Sequence, residues 1–224
     1  MMIKRALYTG IVAASAITLS SCSDNRDYET AICALADISG TYAQEKESMV
    51  NIIKAGILPK LLPGDSLYLI TINSSSFDEN NIKAQLKLDY RPSQANRQRL
   101  EFSETLDKFV KDKEKSSHTD ISGAMMLCGG QLKKTQAGTQ LMFIFSDMKE
   151  ELKPGLKRSF NKDEFNSIDI TAMNVIKLKA DNIDPQKYRS RMEKWGKRVM
   201  DHGARSWNAD LEPADITEYI DDKR

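Results

Sequence analysis

Three short runs of this chain are apolar at almost every position: residues 31–36 (AICALA), 66–72 (SLYLITI) and 139–146 (TQLMFIFS). Runs of that length and composition read as strands covered on both faces, which is the pattern of a parallel sheet. Between them the spacing becomes helical. Residues 44–58 place Met49, Ile52, Ile53 and Ile57 on one face, residues 94–115 do so with Phe102, Leu106, Phe109 and Val110, and residues 120–134 with Ile121, Ala124, Met125, Cys128 and Leu132. Residues 82–90 instead alternate strictly, Ile82, Ala84, Leu86, Leu88 and Tyr90 against Lys83, Gln85, Lys87 and Asp89. Period two with one wet face predicts an edge strand, and the short loop before it predicts antiparallel pairing.

Further along, residues 169–178 read as a strand and 186–202 as a helix stopped by Gly203. Residues 204–207 read as a last short strand and 213–220 as a terminal helix. Residues 148–168, charged and interrupted by Pro154-Gly155, read as a long loop with a single helical turn. Strands alternating with helices predict a three-layer α/β domain: an open, mostly parallel sheet, helices on both faces, and one antiparallel edge strand.

Composition narrows the function. Lys and Arg number 33 against 32 Asp and Glu, a net charge of +1, without the basic excess of a nucleic-acid binder. Two His and three Cys are too few for a His- or Cys-rich zinc domain, whereas a hard cation held by oxygen ligands stays open.

The amino-terminal segment reads as a targeting signal. Lys4 and Arg5 precede an apolar stretch over residues 6–19, too short to span a bilayer and suited to the core of a secretory signal. Leu19-Ser20-Ser21-Cys22 resembles a bacterial lipobox. The resemblance implies a signal peptide over residues 1–21, lipidation of Cys22, a polar tether to residue 29, and a domain over residues 30–224. Loss of Lys4 and Arg5 leaves the body near neutral, so acyl chains rather than charge would hold the membrane. The expected location is the bacterial cell envelope, and Ser23 after the lipidated cysteine favours the outer membrane. Cys33 and Cys128 both sit among apolar neighbours and read as two buried free thiols, although an oxidising compartment allows a disulfide between them.

In open α/β sheets ligands bind at the carboxyl ends of the strands. Oxygen-bearing residues stand there in three places: Asp37-Ile38-Ser39-Gly40-Thr41 after the first strand, Thr119 before the helix over 120–134, and Asp147 after the strand over 139–146. Gly40 permits a tight loop, and together these groups offer oxygens enough for a small divalent ion that keeps some waters. Each of these residues alone also suits a helix cap or a turn, and Asp120 reads as the cap of its helix. His118 reads as a solvated loop residue, and His202 as a favourable charge at a helix end.

Taken in order, Asp37-x-Ser39-x-Thr41, Thr119 and Asp147 resemble the metal-ion-dependent adhesion site of the von Willebrand factor A family, over about residue 30 to the carboxyl terminus. The resemblance implies Mg²⁺ or Mn²⁺ at Asp37, Ser39, Thr41, Thr119 and Asp147, and a protein partner whose acidic side chain completes the coordination. Residues 148–168 are the least typical of that family. An Asp ending the first strand also resembles haloacid-dehalogenase-like phosphatases, but their general acid two residues later is here Ser39, whose hydroxyl does no acid–base work near neutral pH. Neither a GxSxG elbow nor a GxxxxGK[ST] loop occurs. The sequence therefore predicts a binding module rather than an enzyme; a von Willebrand factor A scaffold with a purely structural role is the remaining alternative.

Overall fold

The computed structural model describes residues 25–40, 42–209 and 211–224. The signal segment, Cys22 and Thr41 lie outside the described residues.

Six strands form one sheet: β1 (Thr30–Asp37), β2 (Ser66–Ile72), β3 (Ile82–Lys87), β4 (Thr139–Phe145), β5 (Ile168–Met173) and β6 (Ser206–Asn208). Their order is β3-β2-β1-β4-β5-β6, parallel throughout except for β3, which runs antiparallel to β2 at one edge. The helices are α1 (Lys46–Ile52), α2 (Pro92–Lys111), α3 (Ile121–Thr135), α4 (Lys179–Ile183), α5 (Pro185–Met200) and α6 (Ile216–Lys223).

Strand β1 shows why the first apolar run is continuous. Ile32, Ala34 and Ala36 pack into one core layer with residues of α1, α2 and α6, while Ala31, Cys33 and Leu35 pack into the other with α3 and α5. Strand β3 has only one covered face: Ala84 and Leu86 are buried while Gln85 and Lys87 are exposed. The predicted three-layer architecture and its antiparallel edge are both present.

Several boundaries differ from the sequence expectation, each for a local reason. The helix expected over 44–58 changes pitch: α1 passes into a π-helical turn over Ile53–Ile57 and a 3₁₀ turn over Leu58–Lys60. Gly56 lies in the π turn, where the Ile216 side chain of α6 fills the space a Cβ would need. Helix α2 stops at Lys111 because Lys46 Nζ captures the carbonyl oxygens of Asp112 and Glu114 at 2.9 and 3.3 Å. Strand β5 ends at Met173, since Asn174 takes a left-handed conformation (φ 49°) and turns the chain. Residues 148–167 contain turns but no helix.

The cysteines need a correction. Cys33 of β1 and Cys128 of α3 are not free thiols but a disulfide, with their Cα atoms 6.1 Å apart. Helix α3 lies directly on the β1 face that carries Cys33, and the apolar layer that suits a thiol suits a disulfide equally. The bridge spans 95 residues of sequence, so Cys33→Ala/Cys128→Ala is expected to lower unfolding stability by about 2–4 kcal/mol. Urea denaturation with and without reductant checks this: reductant should shift the wild type toward the variant and leave the variant unmoved.

The start of β1 and the carboxyl-terminal residue are fastened together at the amino edge of the sheet. Asp65 accepts the Thr30 backbone N–H at 2.7 Å and pairs with Arg224, the last residue, at 2.6 Å. Lys60 pairs with Asp221 beside them. Among the described residues no helix is long and apolar enough to cross a membrane.

Candidate metal centre

The parallel register sets two of the candidate ligands, Asp37 and Asp147, at neighbouring strand ends. Ala36 of β1 pairs with Phe145 of β4, so Asp37 lies beside the residues that follow Phe145, namely Ser146 and Asp147. Asp37 is 2% exposed. Its Oδ1 accepts the backbone N–H and the hydroxyl of Ser39, at 2.8 and 2.5 Å. Its Oδ2 accepts the hydroxyl of Ser146 at 2.6 Å. The chain then turns at Gly40 (φ 34°), where the left-handed conformation favours glycine.

This loop is stitched to the segment before α3. Ser116 donates its N–H to Ile38 O at 3.1 Å, and Gly40 donates to Ser116 O at 3.3 Å. That brings in Thr119, whose hydroxyl donates to Ser39 Oγ at 2.8 Å. Asp37, Ser39 and Thr119 thus form one hydrogen-bonded chain. Asp147 sits on the turn after β4, its Oδ1 accepting Lys149 N–H at 2.8 Å. Just past residue 41, Tyr42 pins the loop by donating its hydroxyl to Asn174 O at 3.1 Å.

Burial dominates the electrostatics of both carboxyl groups. Burial pushes the Asp37 carboxyl up to about 6, against the lowering hydrogen bonds from Ser146 and Ser39, and the charge of Asp147 adds to the rise. Burial also raises Asp147, opposed by the Lys149 N–H and by the charges of Arg191 and Lys149. Among the described residues no basic side chain pairs with Asp37 or Asp147. No three His, Cys, Asp or Glu side chains cluster as a metal-binding group among the described residues. A centre here would draw on two carboxylates and on hydroxyls, a hard, all-oxygen donor set that fits Mg²⁺ or Mn²⁺ keeping part of its water shell.

Three contributors were not visible as such in the sequence. Ser146 holds Asp37 and accepts the Met148 N–H at 3.0 Å; its only signal is its position, ending the apolar run beside Asp147. Glu150 accepts Ser122 N–H at 2.7 Å and pairs with Arg198 of α5 at 3.3 Å. Arg158 pairs at 2.6 Å with Asp120, whose side chain is wholly buried. Asp120 also caps α3 as expected, accepting Gly123 N–H at 2.8 Å, and accepts Ser76 N–H at 2.9 Å. The segment over 148–168 therefore supports the site from outside. Thr119 and Glu151 exchange backbone hydrogen bonds of 2.9 Å, and Trp195 Nε1 donates to Met148 O at 2.9 Å. Met148 itself is buried with φ 60°. His118 is half-buried against Ser117, and His202 contacts Arg198 O at the end of α5.

No protein-family model and no curated protein sequence matches this chain. Its fold does match solved structures. One is a von Willebrand factor type A protein from Catenulispora acidiphila, with a TM-score of 0.50 and 11% identity over 87% of this chain and 41% of that one. Another is BatB from Bacteroides thetaiotaomicron, with a TM-score of 0.52 and 12% identity over 87% and 98% of the two chains. A third is an aerotolerance-related membrane protein from Bacteroides fragilis, with a TM-score of 0.51 and 11% identity over 87% and 97%. The chain spans less than half of the first of these. The architecture is von Willebrand factor A-like, and the chemistry of the site rests on its own residues.

Proposed function

We propose that this protein is a membrane-anchored bacterial lipoprotein whose von Willebrand factor A-like domain binds a protein partner through a divalent cation at the carboxyl edge of the sheet. The observation that carries this reading is the hydrogen-bonded chain Asp37–Ser39–Thr119, with Asp147 on the adjoining turn. Asp37, Ser39, Thr41, Thr119 and Asp147 would hold Mg²⁺ or Mn²⁺. The ion supplies a fixed positive charge that an Asp or Glu of the partner can complete, a strong and orienting contact. This chain's residues hold the loop in register, keep the Asp37 carboxylate out of water and leave the partner's carboxylate to finish the shell.

Binding fits the site better than hydrolysis does. Among the described residues no His, Lys or Cys side chain hydrogen-bonds to the side chains of Asp37, Ser39, Thr119 or Asp147, so no acid–base pair stands ready to activate a water. The Cys33–Cys128 disulfide supports an oxidising compartment, in keeping with export and with a location in the cell envelope. Ser23 favours the outer membrane.

Two results test the halves of this reading. Thr119→Ala changes no charge, and it is expected to abolish Mg²⁺-dependent capture of the partner from envelope extract as completely as a chelator does. A purely structural scaffold, or general charge attraction, would tolerate that change, so retained capture overturns the metal-bridged mechanism. Cys22→Ala is expected to abolish incorporation of radiolabelled palmitate and to alter membrane fractionation; unchanged labelling would overturn the anchor.

A further inference from the structure

Helix α5 carries a row of cations with no matching row of acids. Lys187, Arg191, Lys194 and Arg198 follow at intervals of four, three and four residues and so share one face. They line an open groove of about 530 Å³ along one face of α5, its wall, with Trp195 and Asp184, formed entirely by residues 184–198. Like charges at these spacings repel one another along a helix. Two of the four are neutralised by acids from other elements: Arg191 by Asp181 of α4 at 2.6 Å, and Arg198 by Glu150 at 3.3 Å. The side chains of Lys187 and Lys194 are exposed and have no hydrogen-bond or ion-pair partner among the described residues. The whole chain is almost neutral, so this is a local excess rather than a general one.

The groove adjoins the candidate metal centre. Trp195 of its wall donates to Met148 O, the residue after Asp147. Arg191 lies near enough for its charge to act on Asp147. Ile183, 87% exposed at the end of α4, stands just before Asp184 and offers an apolar contact beside the cations.

We infer that this groove docks an acidic peptide segment of the protein partner, extending onto α5 the contact made at the metal, a proposal that rests on the partner-binding reading above. The ammonium groups of Lys187 and Lys194 suit spaced carboxylates on a peptide segment, and the carboxylate of Asp184 marks the end of the row, where such a segment would be repelled. Continuity with the candidate metal centre, through the contact of Trp195 with Met148, favours the protein partner over a lipid surface as the occupant. Charges of this kind at the rim of an interface act chiefly on association rate and on salt dependence.

The test uses the full-length chain in neutral detergent micelles and a fluorescein-labelled peptide of alternating glutamate and alanine, read by fluorescence anisotropy. Lys187→Glu/Lys194→Glu is expected to weaken binding at least about tenfold at low salt, the difference shrinking as salt rises. The control Lys108→Glu/Lys111→Glu makes the same change in net charge at exposed positions of α2, on the opposite face of the sheet, and is expected to matter about twofold or less. Lys187→Gln/Lys194→Gln, with a circular-dichroism melt, provides a milder variant should charge reversal disturb the fold. Excess chelator separates the two sites: binding to the groove persists in chelator, even if the metal mechanism is wrong. Equal effects of the α5 and α2 variants overturn the groove proposal while leaving any chelator-sensitive binding intact. Absence of peptide binding by the wild type overturns it as well. If short-chain phosphatidylglycerol in the micelles displaces the peptide at lower concentration than unlabelled peptide does, the groove belongs to a lipid surface and the peptide assignment fails.

Discussion

Asp37→Asn is expected to weaken Mg²⁺ or Mn²⁺ binding by at least about a hundredfold and to leave the domain folded. Asparagine keeps the volume of the side chain and an oxygen toward Ser39, so the loop can retain its hydrogen bonds, but the charge that a hard cation needs is gone. The fold should not suffer. Without a cation the native carboxylate is buried among hydroxyls with no basic partner, an arrangement that costs stability rather than supplying it. Titration calorimetry with Mn²⁺, alongside thermal melts without metal, measures both effects. Equal Mn²⁺ affinity in wild type and variant would remove Asp37 from the centre. A variant that binds no metal but also melts far below the wild type would assign Asp37 a structural role instead.

Arg158→Ala is expected to destabilise the protein by about 3 kcal/mol, the lower end for breaking a buried ion pair. It leaves the wholly buried Asp120 carboxylate without its cation. Two backbone N–H groups, of Gly123 and Ser76, and the amino end of α3 still face that carboxylate and limit the loss. Asp120→Ala should cost a similar amount, and the double variant less than the sum, because the two changes remove one interaction. Urea unfolding gives all three numbers. A loss in Arg158→Ala no larger than the ~0.5 kcal/mol of a surface pair would show that Asp120 needs no cation. A further expectation is faster proteolysis within residues 148–168, since Arg158 is one of the points that tie this segment to the domain.

The layers of the fold were legible because burial on two faces leaves a plain mark on composition. Residues 31–36 and 139–146 could hardly be anything but interior strands, and the alternation over 82–90 announced an edge. Boundaries were less legible where a distant group decides them. Nothing local in residues 111–115 says that Lys46 will take the carbonyls of Asp112 and Glu114, and the apolar Val175 and Ile176 hide the turn at Asn174. The candidate ligands could be picked out because strand ends are predictable positions. Their supports could not: Arg158 reaches Asp120 across 38 residues, and Glu150 reaches Ser122 across 28, contacts that only the folded loop defines. The disulfide was missed for a related reason. Apolar surroundings say that Cys33 and Cys128 are buried, and only the seating of α3 on β1 says that they meet.

The direction of β1 fixes how the molecule is presented. The chain enters the sheet at Thr30 and reaches Asp37 at the far end of an eight-residue strand, a distance of roughly 25 Å at about 3.3 Å per residue. Asp65 clamps that entry point together with Arg224, so both ends of the described chain leave from the same pole. If the chain is anchored ahead of β1 as proposed, the membrane would lie toward this pole, and the opposite one, with Asp37, Thr119 and Asp147, would face outward. A tether of a few residues would then serve as well as a long one, because the sheet itself is the spacer. A fusion or affinity tag at Arg224 would likewise sit on the membrane side, clear of any partner approaching the far pole.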